Sequence, residues 1–369
     1  MESSEIYDRS IRHFLHPVTP LLDDPSVSEI LINGPEQIYF ERGGKLNLSE
    51  LKFPSTGHLM AAARNIGEYV GRTVGPGQHS MDARLPDGSR VHVIVPPCSR
   101  TGVCISIRRF QKSTFSLSKL VERKSLTDEA REFLRIAVLL HRNIIVSGGT
   151  GTGKTSMLNA LSAEVPETER IVVIEDTSEL QLGQPHTVYL EAQPPDQYGR
   201  GAVTIRDLFV DSLRMRPDRI VVGEIRRGEA LDLIQSMISG HSGSLSTVHA
   251  NTARDAAVRL ETLCLMSDVS LPVHVARTQV ASAIHLVVQL SRMADGSRRV
   301  ITISECLGLN GDGQYVFQDL YRFQGAGRDE NGAIQGELLA TEVCPAFASD
   351  VDALGYRDEV RLTSSRFLR

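Results

Sequence analysis

The chain has no tryptophan, only 5% aromatic residues and a formal net charge of −5. Proteins that track single-stranded nucleic acid stack bases on aromatic side chains in a basic groove. Nothing in the whole-chain composition points that way, a local basic channel aside, so no direct nucleic-acid partner is expected. Cysteine is also scarce. The five are Cys98, Cys104, Cys264, Cys306 and Cys344, an odd number with no C-x-x-C pair. They read as thiols in a reducing cytosol, and a zinc site is unsupported. No run approaches the roughly 20 apolar residues that cross a bilayer. The first residues carry Glu2, Glu5, Asp8 and Arg9 with no apolar stretch behind them, unlike a signal peptide. A soluble, cytoplasmic protein is expected, touching a membrane only through partners.

What is present suits ordinary globular cores: 369 residues, 41% hydrophobic and 23% charged. At roughly 100–200 residues per domain, two domains are expected. The fold class is α/β, with a smaller α+β domain in front. Residues 1–19 read as a loosely held lead. Residues 20–112 form the α+β domain with an antiparallel sheet. In it, residues 28–48 read as three strands with turns at Asn33-Gly34-Pro35 and Gly43-Gly44, and residues 82–97 as a hairpin turning at Pro86-Asp87-Gly88. Leu59, Ala62, Ala63, Ile66 and Val70 have helical spacing. In residues 103–110, Val103, Ile105 and Ile107 share one face of a strand, and Cys104, Ser106 and Arg108 the other. The Ser-rich stretch 113–126 is the linker. Residues 127–310 alternate helix and strand, opening with a helix that Thr127 caps. RIVVIED (170–176) and RIVVGEI (219–225) have short apolar stretches of the kind buried as strands in a parallel sheet, and the strand NIIVS leads into residue 148. A helix at 229–240 places Leu231, Ile234 and Ile238 on one side, and 285–306 closes as a hairpin around Asp295-Gly296. Residues 311–369 are an extension with no assigned chemistry.

The segment 148–155, GGTGTGKT, fits G-x-x-x-x-G-K-[ST] in full. Its residues are Gly148, Gly149, Thr150, Gly151, Thr152, Gly153, Lys154 and Thr155, with Ser156 next. Glycines let the backbone wrap a polyphosphate with its N–H groups inward, and the helix that starts there turns its positive end to the anion. Lys154 reaches the β- and γ-phosphates, and the Thr155 hydroxyl can bind Mg²⁺. A strand before the loop and an amphipathic helix after it complete the context. ATP with Mg²⁺ is the expected ligand, since the N-K-x-D base-reading motif of GTPases is absent.

Hydrolysis needs more than a cradle. Acids follow two buried strands: Glu175, Asp176 and Glu179 after one, Glu224 after the other; Glu175 is a candidate nucleotide-binding residue. Carboxylates at such strand ends are costly unless they serve a ligand or cap a helix, and both roles are open for any one of them. The loop 240–251 holds His241 and His249. Structural hydrogen bonding and metal ligation are both readings of the pair, and His249, after a further strand, is a candidate γ-phosphate sensor.

The P-loop, IEDTSEL, LRMRPDRIVVGEIRRGEA and GHSGSLSTVHAN, in this order, resemble the secretion-ATPase superfamily of type II and type IV secretion and pilus systems. The stretches 23–46 and 82–97 look most like its CpaF branch, which powers tight-adherence (Tad/Flp) pili. The resemblance covers about residues 20–310, and the missing tetracysteine zinc element argues against the type II branch. It implies a RecA-like ATPase domain behind an α/β N-terminal domain, a homo-hexamer, and docking on an inner-membrane platform protein. It casts Glu179 as the glutamate that polarises attacking water and Glu224 as the Walker B acid holding Mg²⁺ through water, with Thr155. It makes His241 and His249 the pair that links the γ-phosphate to motion. It brings N-domain arginines to the nucleotide, best matched by Arg90 and Arg108, then Arg84. A solvated surface role is the competing reading for each arginine. The alternatives to a motor are a RecA-like nucleic-acid translocase or helicase, and an assembly factor that binds ATP and barely turns it over.

Overall fold

The structure, a computed structural model, describes residues 2–75, 77–109, 116–195 and 199–368. The chain forms two compact units: Met1–Ser113 with Pro195–Ala202, and Thr114–Pro194 with Val203–Arg369.

The first unit is a six-stranded antiparallel sheet with helices. Its strands are β1 (Val27–Asn33), β2 (Gln37–Arg42), β3 (Lys45–Leu48), β4 (Ser80–Arg84), β5 (Arg90–Ile94) and β6 (Cys104–Arg108), in the order β3-β2-β1-β6-β5-β4. Alternation decides the faces: Val91, Val93, Ile105 and Ile107 are buried, while Arg108 is exposed. Among the described residues its α-helices are α1 (Glu2–Phe14), α2 (Thr19–Asp23) and α3 (Thr56–Tyr69). Leu59, Ala62, Ala63 and Ile66 of α3 are buried, and Val70 is its C-cap. Over its described residues, 2–19, the expected lead is not loose. Helix α1 lies on α3, with Ser10 hydrogen-bonded to Asn65 and the Tyr7 and Tyr69 rings 5.3 Å apart. Ile11, Leu15 and Val18 join the core.

The second unit carries α4 (Leu117–Glu122), α5 (Asp128–Leu139), β7 (Ile144–Gly148), α6 (Lys154–Ser162), β8 (Ile171–Glu175), β9 (Thr187–Glu191), α7 (Ile205–Ser212), β10 (Arg219–Val222), α8 (Glu229–Ile238), β11 (Leu245–Val248), α9 (Ala253–Leu265), α10 (Val273–Ala283), β12 (Leu286–Arg292), β13 (Arg298–Leu309), β14 (Tyr315–Arg328), β15 (Ile334–Ala340), α11 (Asp350–Ala353) and α12 (Ser364–Phe367). The sheet order is β15-β14-β13-β12-β7-β11-β10-β8-β9. Strands β12 to β9 in that order run parallel, and β13, β14 and β15 add an antiparallel meander. Every residue of β7, β8, β10 and β11 is buried, as a parallel sheet covered on both faces requires. Thr127 caps α5 by accepting from Ala130 N–H. On α8, Leu231 and Ile234 are buried, but Ile238 in the last turn is 47% exposed, outside the stripe the sequence spacing assigned to it.

Two sequence boundaries dissolve in this unit. Of the linker 113–126, residues 113–115 lie outside the described residues; the rest contains α4, and Leu117, Leu120 and Leu126 are buried in the core. The expected extension 311–369 is, over its described residues 311–368, no separate element. β14 and β15 continue the sheet, and Phe367 of α12 stacks on Phe133 of α5 at 5.5 Å. Buried Glu132 of α5 accepts the N–H groups of Arg361, Leu362 and Thr363 and so ties the tail down.

Candidate nucleotide site

In a parallel sheet, ligands gather outside the carboxyl ends of the strands. Here β7 ends in Gly148, β8 in Glu175, β10 two residues before Glu224, and β11 one residue before His249. The phosphate loop leaves β7 and returns as α6, whose first residue is Lys154. Gly148 is required by close approach: a Cβ there would stand 2.5 Å from Thr152 Oγ1 and 2.9 Å from the Leu290 carbonyl. Gly153 is required by conformation, since it caps α6 at φ 94°.

The side chains around the loop engage one another. Lys154, 8% exposed, donates to the Gly149 carbonyl at 3.1 Å and lies 3.3 Å from the His249 ring nitrogens. His249 Nε2 is 2.5 Å from Glu224 Oε1. Burial, then the Lys154 charge, hold the imidazole below its usual pKa, with Glu224 opposing. The ring is therefore neutral at pH 7. Its Nε2–H donates to Glu224, which leaves Nδ1 to accept from Lys154. The Thr155 hydroxyl donates to Glu179 Oε2 at 3.1 Å. The structure thus brings Lys154, Thr155, Glu179, Glu224 and His249 into one constellation.

Glu175 belongs to it indirectly. It is buried, and its Oε1 accepts the N–H groups of Glu179 and Leu180 at 2.8 and 3.0 Å. Burial pushes its carboxyl up to about 7, with Glu179 and Glu191 adding like charge. It was expected on sequence to bind the nucleotide; what it holds is the loop that carries Glu179.

One expectation does not converge here. His241 is at the wrong edge of the sheet. β11 pairs parallel with β7, Leu245 with Ile144 and Val248 with Ser147, so His241, which precedes β11, lies at the edge opposite the phosphate loop. Its N–H binds the Ser236 carbonyl. Only His249, past the strand's other end, reaches the constellation. The arginines belong to the first unit, where the register sets them in a row: Arg84 opposite Arg90, and Arg90 opposite Arg108. Glu29 stands next to Arg108 in that row.

Sequence reading also missed participants. Arg226 Nη2 is 2.5 Å from Glu224 Oε2, and its Nη1 is 3.2 Å from Asp176, so it ties the ends of β8 and β10 together. Its position two residues after Glu224 was a usable signal. Arg298 donates to the Gly151 carbonyl at 3.0 Å. No local pattern marks it, because only the pairing of β12 with β7 brings that hairpin to the loop.

A family model described as type II/IV secretion system protein matches residues 13–354. The chain belongs to this family. It is thus a secretion ATPase, the superfamily its motifs resemble. This secretion ATPase is 36% identical over 317 residues to the type IV secretion system protein PtlH of Bordetella pertussis, covering 79% of this chain and 93% of PtlH. It is 30% identical over 324 residues to the type IV secretion system protein VirB11 of Brucella suis, covering 79% and 89%. Among solved structures it is similar to the pilus retraction motor PilT with bound ADP, at TM-score 0.53 and 16% identity, covering 96% of this chain and 91% of that one. That last likeness is one of fold. Among the described residues, no helix is long and apolar enough to cross a membrane.

Proposed function

We propose that this secretion ATPase works as a homo-hexameric motor, cytoplasmic and held at the inner membrane by a platform protein, and that it powers a Tad/Flp-like type IV pilus or a protein export system. The observation that carries the reading is the convergence of Lys154, Thr155, Glu179, Glu224 and His249, from four separate strand ends, on one phosphate loop. A binding module needs the loop alone. A hydrolase also needs a carboxylate to orient water, and Glu179 is held for that by Glu175.

The roles follow from the chemistry of each group. Loop N–H groups and Lys154 bind the β- and γ-phosphates, with Lys154 leaving His249 to do so. Glu179 accepts a hydrogen from the attacking water and aims its lone pair at the γ-phosphorus; the products are ADP and phosphate. His249, bonded to both Lys154 and Glu224, senses whether the γ-phosphate is there. For Mg²⁺, the Thr155 hydroxyl and the Glu224 carboxylate are oxygen donors of the right kind. Among the described residues no group of three or more His, Cys, Asp or Glu could hold a metal alone. Mg²⁺ in phosphoryl-transfer sites keeps several waters and is held by one or two carboxylates together with substrate phosphates. When bound, Mg²⁺ neutralises charge on the phosphates. The row Arg84–Arg90–Arg108 is assigned to the nucleotide's anionic end on the resemblance alone, which brings N-domain arginines there. Family membership does not favour the nucleic-acid translocase.

The test is Mg²⁺-dependent ATP hydrolysis by the full chain. Glu179→Gln should bind ATP as wild type does and turn it over at least about 100-fold more slowly, the lower bound for losing a positioned base. Full turnover in Glu179→Gln would remove the assignment.

A further inference from the structure

The phosphate loop has a flank that the proposed reaction leaves unexplained. β12 pairs parallel with β7, Leu290 opposite Gly148, and the β12–β13 hairpin turns just beyond. That turn is firmly built. Asp295 accepts from Ser297 N–H at 2.9 Å, Ser297 Oγ at 2.6 Å and Ile334 N–H at 2.7 Å. Buried Arg299 donates to the Lys124 and Ile334 carbonyls. At the base of the turn, Arg292 and Arg298 stand opposite each other. Arg298 Nε donates to the Gly151 carbonyl at 3.0 Å, and Arg298 Cδ is 3.4 Å from where a Gly153 Cβ would be. Arg292 Nη1 is 3.9 Å from the place of a Gly151 Cβ.

In a trans peptide the carbonyl and the following N–H point opposite ways. A guanidinium that holds the Gly151 carbonyl on one side therefore turns the Thr152 N–H to the other. The cation also polarises the peptide and strengthens that N–H as a donor to an anion. Lys154 is engaged on the β10–β11 side, with His249 and Glu224. Arg298 comes from the β12–β13 side. The two cations therefore approach the loop from the two sides of β7.

We propose that Arg298, with Arg292 across the hairpin, is a positioning residue of the nucleotide site. It fixes the Gly151–Thr152 peptide so that the Thr152 N–H serves the phosphate common to ADP and ATP, and it adds positive charge on that flank. The inference rests on the nucleotide-binding reading above. It predicts an effect blind to the γ-phosphate, unlike that of Lys154.

Calorimetric titration of the full chain with ADP and with a non-hydrolysable ATP analogue tests it, using wild type, Arg298→Ala, Arg298→Lys and Arg292→Ala. Arg298→Ala should weaken both ligands by the same factor, about tenfold for one charge-assisted hydrogen bond. The loss should shrink as salt rises, and the KM for ATP should rise more than kcat falls. Arg298→Lys should restore part of the affinity, and Arg292→Ala should weaken both ligands by a smaller equal factor. Arg298 is exposed, so the fold should survive, as far-UV circular dichroism can verify. Wild-type affinity in Arg298→Ala overturns the inference and leaves the ATPase reading standing. A loss confined to the ATP analogue also overturns it, because that would place Arg298 at the γ-phosphate. A wild-type chain that binds neither ligand overturns both.

Discussion

Replacing Glu175 by glutamine isolates the cost of burying one acid at the site. In the folded chain its carboxyl titrates at about 7, against 4.5 for an unperturbed glutamate, because burial disfavours the anion. Between those two values the folded state holds a proton that the unfolded state has lost. Stability therefore falls as pH rises through that window. At about 1.4 kcal/mol per pKa unit, this one group makes the protein about 3 kcal/mol less stable above pH 7 than at pH 4.5. Glutamine is neutral throughout, and its carbonyl can accept the Glu179 and Leu180 N–H groups in the same way. Urea unfolding followed by far-UV circular dichroism suits a chain without tryptophan. The Glu175→Gln stability should match wild type near pH 4.5 and exceed it by about 3 kcal/mol at pH 7.5. Other titrating groups cancel in the difference. An offset that does not change with pH would refute the reasoning, since it would mean that Glu175 carries no raised pKa.

Gly148→Ala puts a Cβ 2.5 Å from Thr152 Oγ1 and 2.9 Å from a backbone carbonyl. It should cost about 1–3 kcal/mol in overpacking and reduce ATP affinity with it, read by thermal melting with and without ligand; wild-type values for both would contradict the close approach. Phe133→Ala should cost about 3–5 kcal/mol, since Phe133 is fully buried against Tyr321, Phe347 and Phe367. A single cooperative transition at lower denaturant is expected; independent loss of residues 311–369 would show the tail to be a separate body. Glu179→Gln should keep ATP binding while losing turnover, measured side by side by titration and phosphate release.

The residues of the site differ in how far they could be read in advance. GGTGTGKT is a local device: its glycines, lysine and threonine act within a few residues of one another, so spacing alone reveals them. Glu179 and Glu224 were legible because an apolar strand that ends in an acid is unfavourable without a purpose. Their proximity to Thr155 and His249 was not, because it arises from strands 25 to 100 positions apart lying side by side. His241 and His249 look equivalent in sequence, eight residues apart in one loop-rich segment. The four residues of β11 between them carry the chain across the sheet, and strand direction puts one histidine at the phosphate loop and the other at the far edge.

The sequence by itself determined what is local or periodic. It marked the phosphate loop, the buried strands, the Thr127 cap, the hairpins at Gly88 and Gly296, and the family. Tertiary structure alone decided what depends on strand order and on packing between distant segments. Helix α1 and the tail carry no motif that ties them to a core, and the apolar residues of each find theirs only against α3 or α5. Arg226 and Arg298 carried no local mark because their partners are Asp176 and Gly151, brought near by the sheet. The carboxyl of Glu175 is an ordinary one in the unfolded chain. Its burial at the end of β8 is what raises its pKa and makes it the support of Glu179.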